Sequence, residues 1–122
     1  MTRDSKFVKG LSLKSHATIR IPRNEVSLEG RVSSLPIEKQ LPSGDLVVEF
    51  RIVIDRKVSR GKKREVDTLD IAVWLAKPRK SARSLKIDDW VAVEGAVRRR
   101  FWKAPSGLAS RWQVEANHLR RL

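Results

Sequence analysis

Apolar and polar residues alternate with a period of two from Val26 onward, and that alternation decides most of what this chain can become. Val26, Leu28, Gly30 and Val32 interleave with Glu25, Ser27, Glu29 and Arg31. Successive side chains of an extended strand point to opposite faces, so this run makes a strand with one dry and one wet side. Leu46, Val48, Phe50, Ile52 and Ile54 repeat the pattern against Val47, Glu49, Arg51, Val53 and Asp55, which predicts a long second strand. Between the two, Ser33 to Gly44 reads as a connection ending in the turn Pro42-Ser43-Gly44, where Pro fixes φ and Gly tolerates a positive one. A third strand sets Leu69, Ile71, Val73 and Leu75 inward and Thr68, Asp70, Ala72 and Trp74 outward. Trp90 to Trp102 reads as the fourth, with Val91, Val93 and Val97 inward. Trp112, Val114 and Ala116 line the fifth, after a turn at Pro105-Ser106-Gly107. Lys77 to Ile87 is the one segment that fits a helix, short and anchored by Leu85 and Ile87.

Five strands with a helix between the third and fourth is the connection order of the OB-fold, an all-β, five-stranded Greek-key barrel that closes its own edges. An SH3-like barrel has no helix-sized insertion at this place. The expected barrel domain spans residues 24–122, and 122 residues leave room for one such domain. Residues 1–23 hold six basic residues against Asp4 and read as a basic flexible arm, in which Ala17 to Ile21 alternates enough for a short strand.

Charge narrows the function. Lys and Arg number 27 against 14 Asp and Glu, a formal +13, of which the barrel domain keeps 21 basic minus 13 acidic, or +8. Such an excess points to a polyanion, either nucleic acid or an anionic membrane. A membrane-surface helix needs bulky apolar residues opposite its cations, and residues 77–87 offer too little apolar area. The absence of Cys excludes thiol chemistry and disulfides. With no apolar signal segment in MTRDSKFVKG, a cytoplasmic, nucleoid-associated location is expected. Gly61-Lys62-Lys63 is no P-loop, because Lys replaces the Ser or Thr and no Gly precedes it by five residues. His16 and His118 form no cluster with other ligands, so no metal, cofactor or catalytic residue is expected, and no enzyme.

Strand parity picks out the binding residues. If Leu69, Ile71 and Val73 face inward, Trp74 faces out; the same count puts Trp102 outside with Arg98 and Arg100, and Arg51 outside on the second strand. A base laid on an exposed indole contributes about 1 to 3 kcal/mol, and Arg adds phosphate or cation–π contact. Interleaved Trp and Arg therefore suit an unpaired nucleic-acid strand. Arg56 to Arg64 adds Arg56, Lys57, Arg60, Lys62, Lys63 and Arg64 without one acid, a loop read as phosphate-holding together with Lys103. The helix cations Lys77, Arg79, Lys80, Arg83 and Lys86 read as solvated charge in the first instance. Phe101 has core parity and is expected buried, while Trp90 and Trp112 are read as packing residues. The rival reading is an assembly module whose tryptophans lie in a protein interface, and DNA is not separable from RNA at this level.

Asn24-Glu25-Val26, Leu28 to Val32, Pro42-Ser43-Gly44, Phe50-Arg51-Ile52, Ile71 to Trp74, Val91 to Gly95, Arg98 to Trp102 and Trp112 to Glu115 together resemble the bacterial single-stranded DNA-binding protein family, SSB, over residues 24–119. The resemblance implies OB-folds that assemble as a homotetramer or homodimer and wrap single-stranded DNA over aromatic side chains in replication, recombination or repair. Trp74 matches the family's aromatic at the end of the third strand, and Trp102 its tryptophan in the long fourth-to-fifth-strand loop. Val58 and Thr68 stand where the family places further aromatics. The chain ends Arg120-Arg121-Leu122 rather than in an acidic-tipped linker, so repair partners recruited through such a tail are not carried over. A tail-less dimeric relative, the primosomal replication protein B, shares the first-strand and Pro-Ser-Gly features.

Overall fold

In the computed structural model, which describes residues 18–58 and 60–122, the alternating runs become strands. They are β1 (Val26–Val32), β2 (Ile37–Gln40), β3 (Leu46–Asp55), β4 (Val66–Val73), β5 (Trp90–Ala104) and β6 (Gly107–Arg121), with the helix α1 (Ala76–Arg83) between β4 and β5. Hydrogen-bonded neighbours run β1-β5-β6-β4-β3, and β1 also pairs with β3, so these five strands close into a ring. The β4–β6 pair, Ile71 with Val114 and Ala72 with Glu115, is parallel, and the other pairs are antiparallel. This is the OB-fold barrel, with its helix where the sequence predicts it.

Two readings of the elements are corrected. The segment expected as a connection contains the sixth strand, β2, which pairs along β3 outside the ring. All four β2 side chains are exposed, so no hydrophobic alternation announces it. Residues 18–25 form no strand, and the rest of the expected arm strand lies outside the described residues.

Val32, Val48, Phe50, Ile52, Ile71, Val73, Val91, Val93, Val114 and Ala116 fill the barrel, and Ala82 and Leu85 from α1 and its end pack against them. Pro78 sits in the first turn of α1, where its missing N–H costs no helical bond. Lys80 and Arg83 occupy the last turn, beside the unpaired carbonyls. Leu75 and Ile87, expected inward, are 55% and 47% exposed. The chain leaves β4 after Val73 to start the helix, so the inward count ends two residues early, and Ala82 and Leu85 anchor the helix without Ile87.

β1 covers β5 from Trp90 to Gly95 and no further, and β4 meets β6 at Val114 and Glu115. Beyond these points Arg98–Ala104 and Gly107–Gln113 pair with each other alone, closing through Gly107 at φ 123°. At about 3.4 Å per residue this is a two-stranded arm about 24 Å long, leaving the barrel rim.

Candidate nucleic-acid interface

The arm leans over the outer faces of β3 and β4, and between them opens a groove of about 560 Å³. Ser34, Leu35 and Ile37 form one wall, Arg100, Trp102, Arg111 and Gln113 of the arm form the other, and Glu49, Arg51 and Asp70 lie on the floor. Cross-strand register explains the floor: Glu49 faces Ala72 and Arg51 faces Asp70, so outward residues of two strands share one surface.

Two carboxylates organise four cations there. Glu49 contacts Lys39 Nζ at 2.8 Å and Arg100 Nη1 at 2.9 Å, and Gln113 Nε2 donates to it at 3.5 Å. Asp70 accepts from Arg51 Nε at 2.8 Å and lies 3.4 Å from Arg111 Nη1. Four cations less two carboxylates leave the groove at +2. Burial pushes the Glu49 pKa up, but the hydrogen bond and charge of Lys39 and the charge of Arg100 outweigh it, so the group titrates below its ordinary 4.5 and stays ionised. Trp102 is 40% exposed, with the Arg111 guanidinium 5.9 Å from its ring centroid. The indole is thus accessible and flanked by positive charge.

The structure brings together Arg51, Arg100 and Trp102 from the expected set. Arg98 is exposed and shares their arm face by alternation, whereas Lys103, also exposed, takes the opposite face. Trp74 follows the last residue of β4, where strand alternation no longer sets its direction; it is half-buried and does not line the groove, and its carbonyl accepts from Arg79 Nη1 at 2.5 Å. The basic loop divides. Arg56 bonds Asp67 at 2.7 Å and Glu65 at 3.0 Å, and Arg64 bonds Asp55 at 2.6 Å, so these two close the β3–β4 hairpin. Their hydrogen bonds and charge hold both carboxyl groups, Asp67 and Asp55, below the ordinary range. Lys57, Arg60, Lys62 and Lys63 are exposed and have no ion-pair partner among the described residues.

Sequence reasoning missed Lys39, Glu49, Asp70, Arg111 and Gln113 as groove residues. Outward parity flagged Glu49 and Asp70, but which cations they meet depends on register and on where the arm bends. Phe101, expected buried, is 56% exposed, and Trp112 and Trp90, read as packing residues, are 62% and 48% exposed. Phe101 and Trp112 have core parity, as counted, but stand on the arm where the barrel interior has ended. Among the described residues no three His, Asp or Glu groups gather as metal ligands, and no helix is long and apolar enough to cross a membrane.

OB-folds take oligonucleotides and oligosaccharides on the face of their second and third barrel strands, between the first-to-second and fourth-to-fifth connections. The groove occupies that place here, on β3 and β4 between the segment after β1 and the β5–β6 arm. The chain belongs to the Single-strand binding protein family, whose sequence profile matches residues 23–122. A single-stranded DNA-binding protein of Clostridium tetani is 28% identical over 85 residues, which are 69% of this chain and 59% of that protein, so the match spans less than two thirds of the relative. The solved structure of Plasmodium falciparum SSB in complex with ssDNA is similar in fold, with a TM-score of 0.70 at 24% identity over 86% of this chain and 99% of that one.

Proposed function

We propose that this protein binds single-stranded DNA with little sequence preference, without catalysis, in the cytoplasm and nucleoid, and serves replication, recombination or repair. The observation that carries the reading is Trp102: an accessible indole in a groove whose charged side chains are cations and the two carboxylates that orient them. Bases stack on Trp102, and Arg51, Arg100 and Arg111 exchange part of their carboxylate contact for backbone phosphates. Arg98 extends the path along the arm, and Lys57, Arg60, Lys62 and Lys63 take phosphates beyond the groove. Trp74 serves a base that passes the groove toward α1. Membership of the single-strand binding family supports the same reading. Assembly as a homodimer or homotetramer belongs to the proposal and is read directly by sedimentation.

The test is titration of tryptophan fluorescence with oligo-dT at two salt concentrations. Stacking should quench the emission. With about five phosphates neutralised at about 0.7 per contact, log affinity should fall against log salt with a slope near −3.5. Unchanged emission with a flat salt response would reject both halves of the mechanism. Competition by oligo-U decides between DNA and RNA.

A further inference from the structure

Phe101 and Trp112 stand in solvent on the side of the arm turned away from the groove. Register places Arg99 opposite Trp112, Phe101 opposite Ser110 and Lys103 opposite Leu108 on that side, while Arg100, Trp102 and Arg111 share the other. The Arg99 guanidinium lies 5.2 Å from the Phe101 ring centroid and 5.6 Å from that of Trp112. Its Nε and Nη2 both donate to Ser110 Oγ, at 3.1 and 2.9 Å, which holds it over the rings. Unlike the groove cations, Arg99 and Lys103 have no carboxylate partner among the described residues.

We propose that this back face of the β5–β6 arm is a second stacking track for single-stranded DNA, so that the strand wraps round the arm instead of lying along one side of it. The inference rests on the groove reading above. A polyanion carrying flat bases satisfies both rings and both cations at once. A second copy of the chain fits the face less well: a twofold contact would press this patch, with Arg99 and Lys103 and no acid, against an identical patch of the same charge. Continuity favours the strand as well. Phe101 and Trp102 are consecutive and point to opposite sides of a ribbon one layer thick, so a strand leaving Trp102 at the arm's edge meets Phe101 next.

The experiment uses the full chain and labelled oligo-dT in two lengths, on the order of 8 nucleotides to fill the groove and about 30 to continue past it. Phe101→Ser with Trp112→Ser, two exposed positions, should leave short-oligonucleotide affinity within about twofold and weaken the long one roughly tenfold or more. Arg99→Gln should act in the same direction, and Trp112→Phe should restore long-oligonucleotide binding. Wild-type affinity of the double variant for both lengths overturns the second track and leaves the groove standing. So does an unchanged long-oligonucleotide affinity with a lower sedimenting mass, which would make this face a contact between protein copies. A wild-type chain that binds neither length overturns the groove reading and this one together.

Discussion

The Asn24 side chain stands in for one step of a β-ladder: its Nδ2 donates to the Val97 carbonyl at 2.7 Å, and its Oδ1 accepts from the Val97 N–H at 2.9 Å. The β1–β5 ladder begins at Val26 with Gly95, so the amide continues it by one more pair, at the root of the arm. Replacing Asn24 by Ala should cost about 1 to 2 kcal/mol, the usual range for two net hydrogen bonds, discounted for exposure. The Val97 amide should exchange with deuterium markedly faster while the Ile71 and Val91 amides are unmoved. Equal acceleration at all three would mean that Asn24 supports the barrel as a whole.

Stacking and charge separate by their response to salt. Trp102→Ala should weaken oligo-dT binding by about 1 to 3 kcal/mol with the salt slope unchanged, because it removes a ring and no charge. Lys62→Ala should instead reduce the slope by about 0.7 with a smaller loss at low salt. Slopes that shift alike in both variants would show that the two roles are confused.

The loop offers an internal control. Arg56 already holds Asp67 and Glu65, so Arg56→Ala removes one positive charge but leaves two carboxylates unpaired at the hairpin end. Thermal stability should fall more in Arg56→Ala than in Lys62→Ala, read as melting temperature under one buffer. The reverse order would mean that the hairpin gains nothing from the ion pairs.

The barrel was legible because its strands carry a period-two signal that burial enforces: Leu69, Ile71 and Val73 cannot shift by one residue without turning the core outward. The site was half legible for the same reason. Parity placed Arg51, Arg100 and Trp102 on wet faces, and the groove holds all three. It failed where an element outlives its neighbours. Phe101 and Trp112 follow the inward count, yet β1 and β4 have already stopped, and a side chain facing the inside of a barrel that is no longer there is a surface side chain. Nor does parity reveal partners. Glu49 reaches Arg100 across 51 residues of sequence through the bend of the arm, which no local pattern encodes.

Glu49 makes the groove sensitive to acid. Its pKa in the folded chain lies below the ordinary 4.5, so its ion pairs stabilise above the unfolded value, and that contribution is lost as pH falls through the depressed one. Glu49→Gln should therefore lower the melting temperature near neutral pH by a few degrees, roughly 1 kcal/mol. The gap to wild type should close as the pH falls below 4.5. The same variant frees Lys39 and Arg100 for phosphate, so the salt slope for oligo-dT should steepen by up to about 1.4, or 0.7 for each cation. Parallel melting curves from pH 7 to pH 3 would remove Glu49 from the acid response.

Gly95 marks the point where the arm departs. The β5–β6 register shifts between Glu94 and Gly95, and a Cβ built on Gly95 would lie 1.9 Å from the Glu115 carbonyl oxygen and 2.8 Å from its carbon. These are backbone atoms of the paired strand, so no side-chain rotation relieves the clash. A bulge admits one extra residue and turns the strand; here the turn also needs β5 and β6 closer than any side chain allows. Gly95→Ala should then force the two strands apart and cost at least about 2 kcal/mol. Gly44→Ala, at a turn with φ 92° and open space around it, should lose about 1 kcal/mol through backbone strain alone. Urea unfolding of the two variants checks the order. A Gly95→Ala protein as stable as the Gly44→Ala one would show that the bulge can open without loss, and that the arm's direction is not set there.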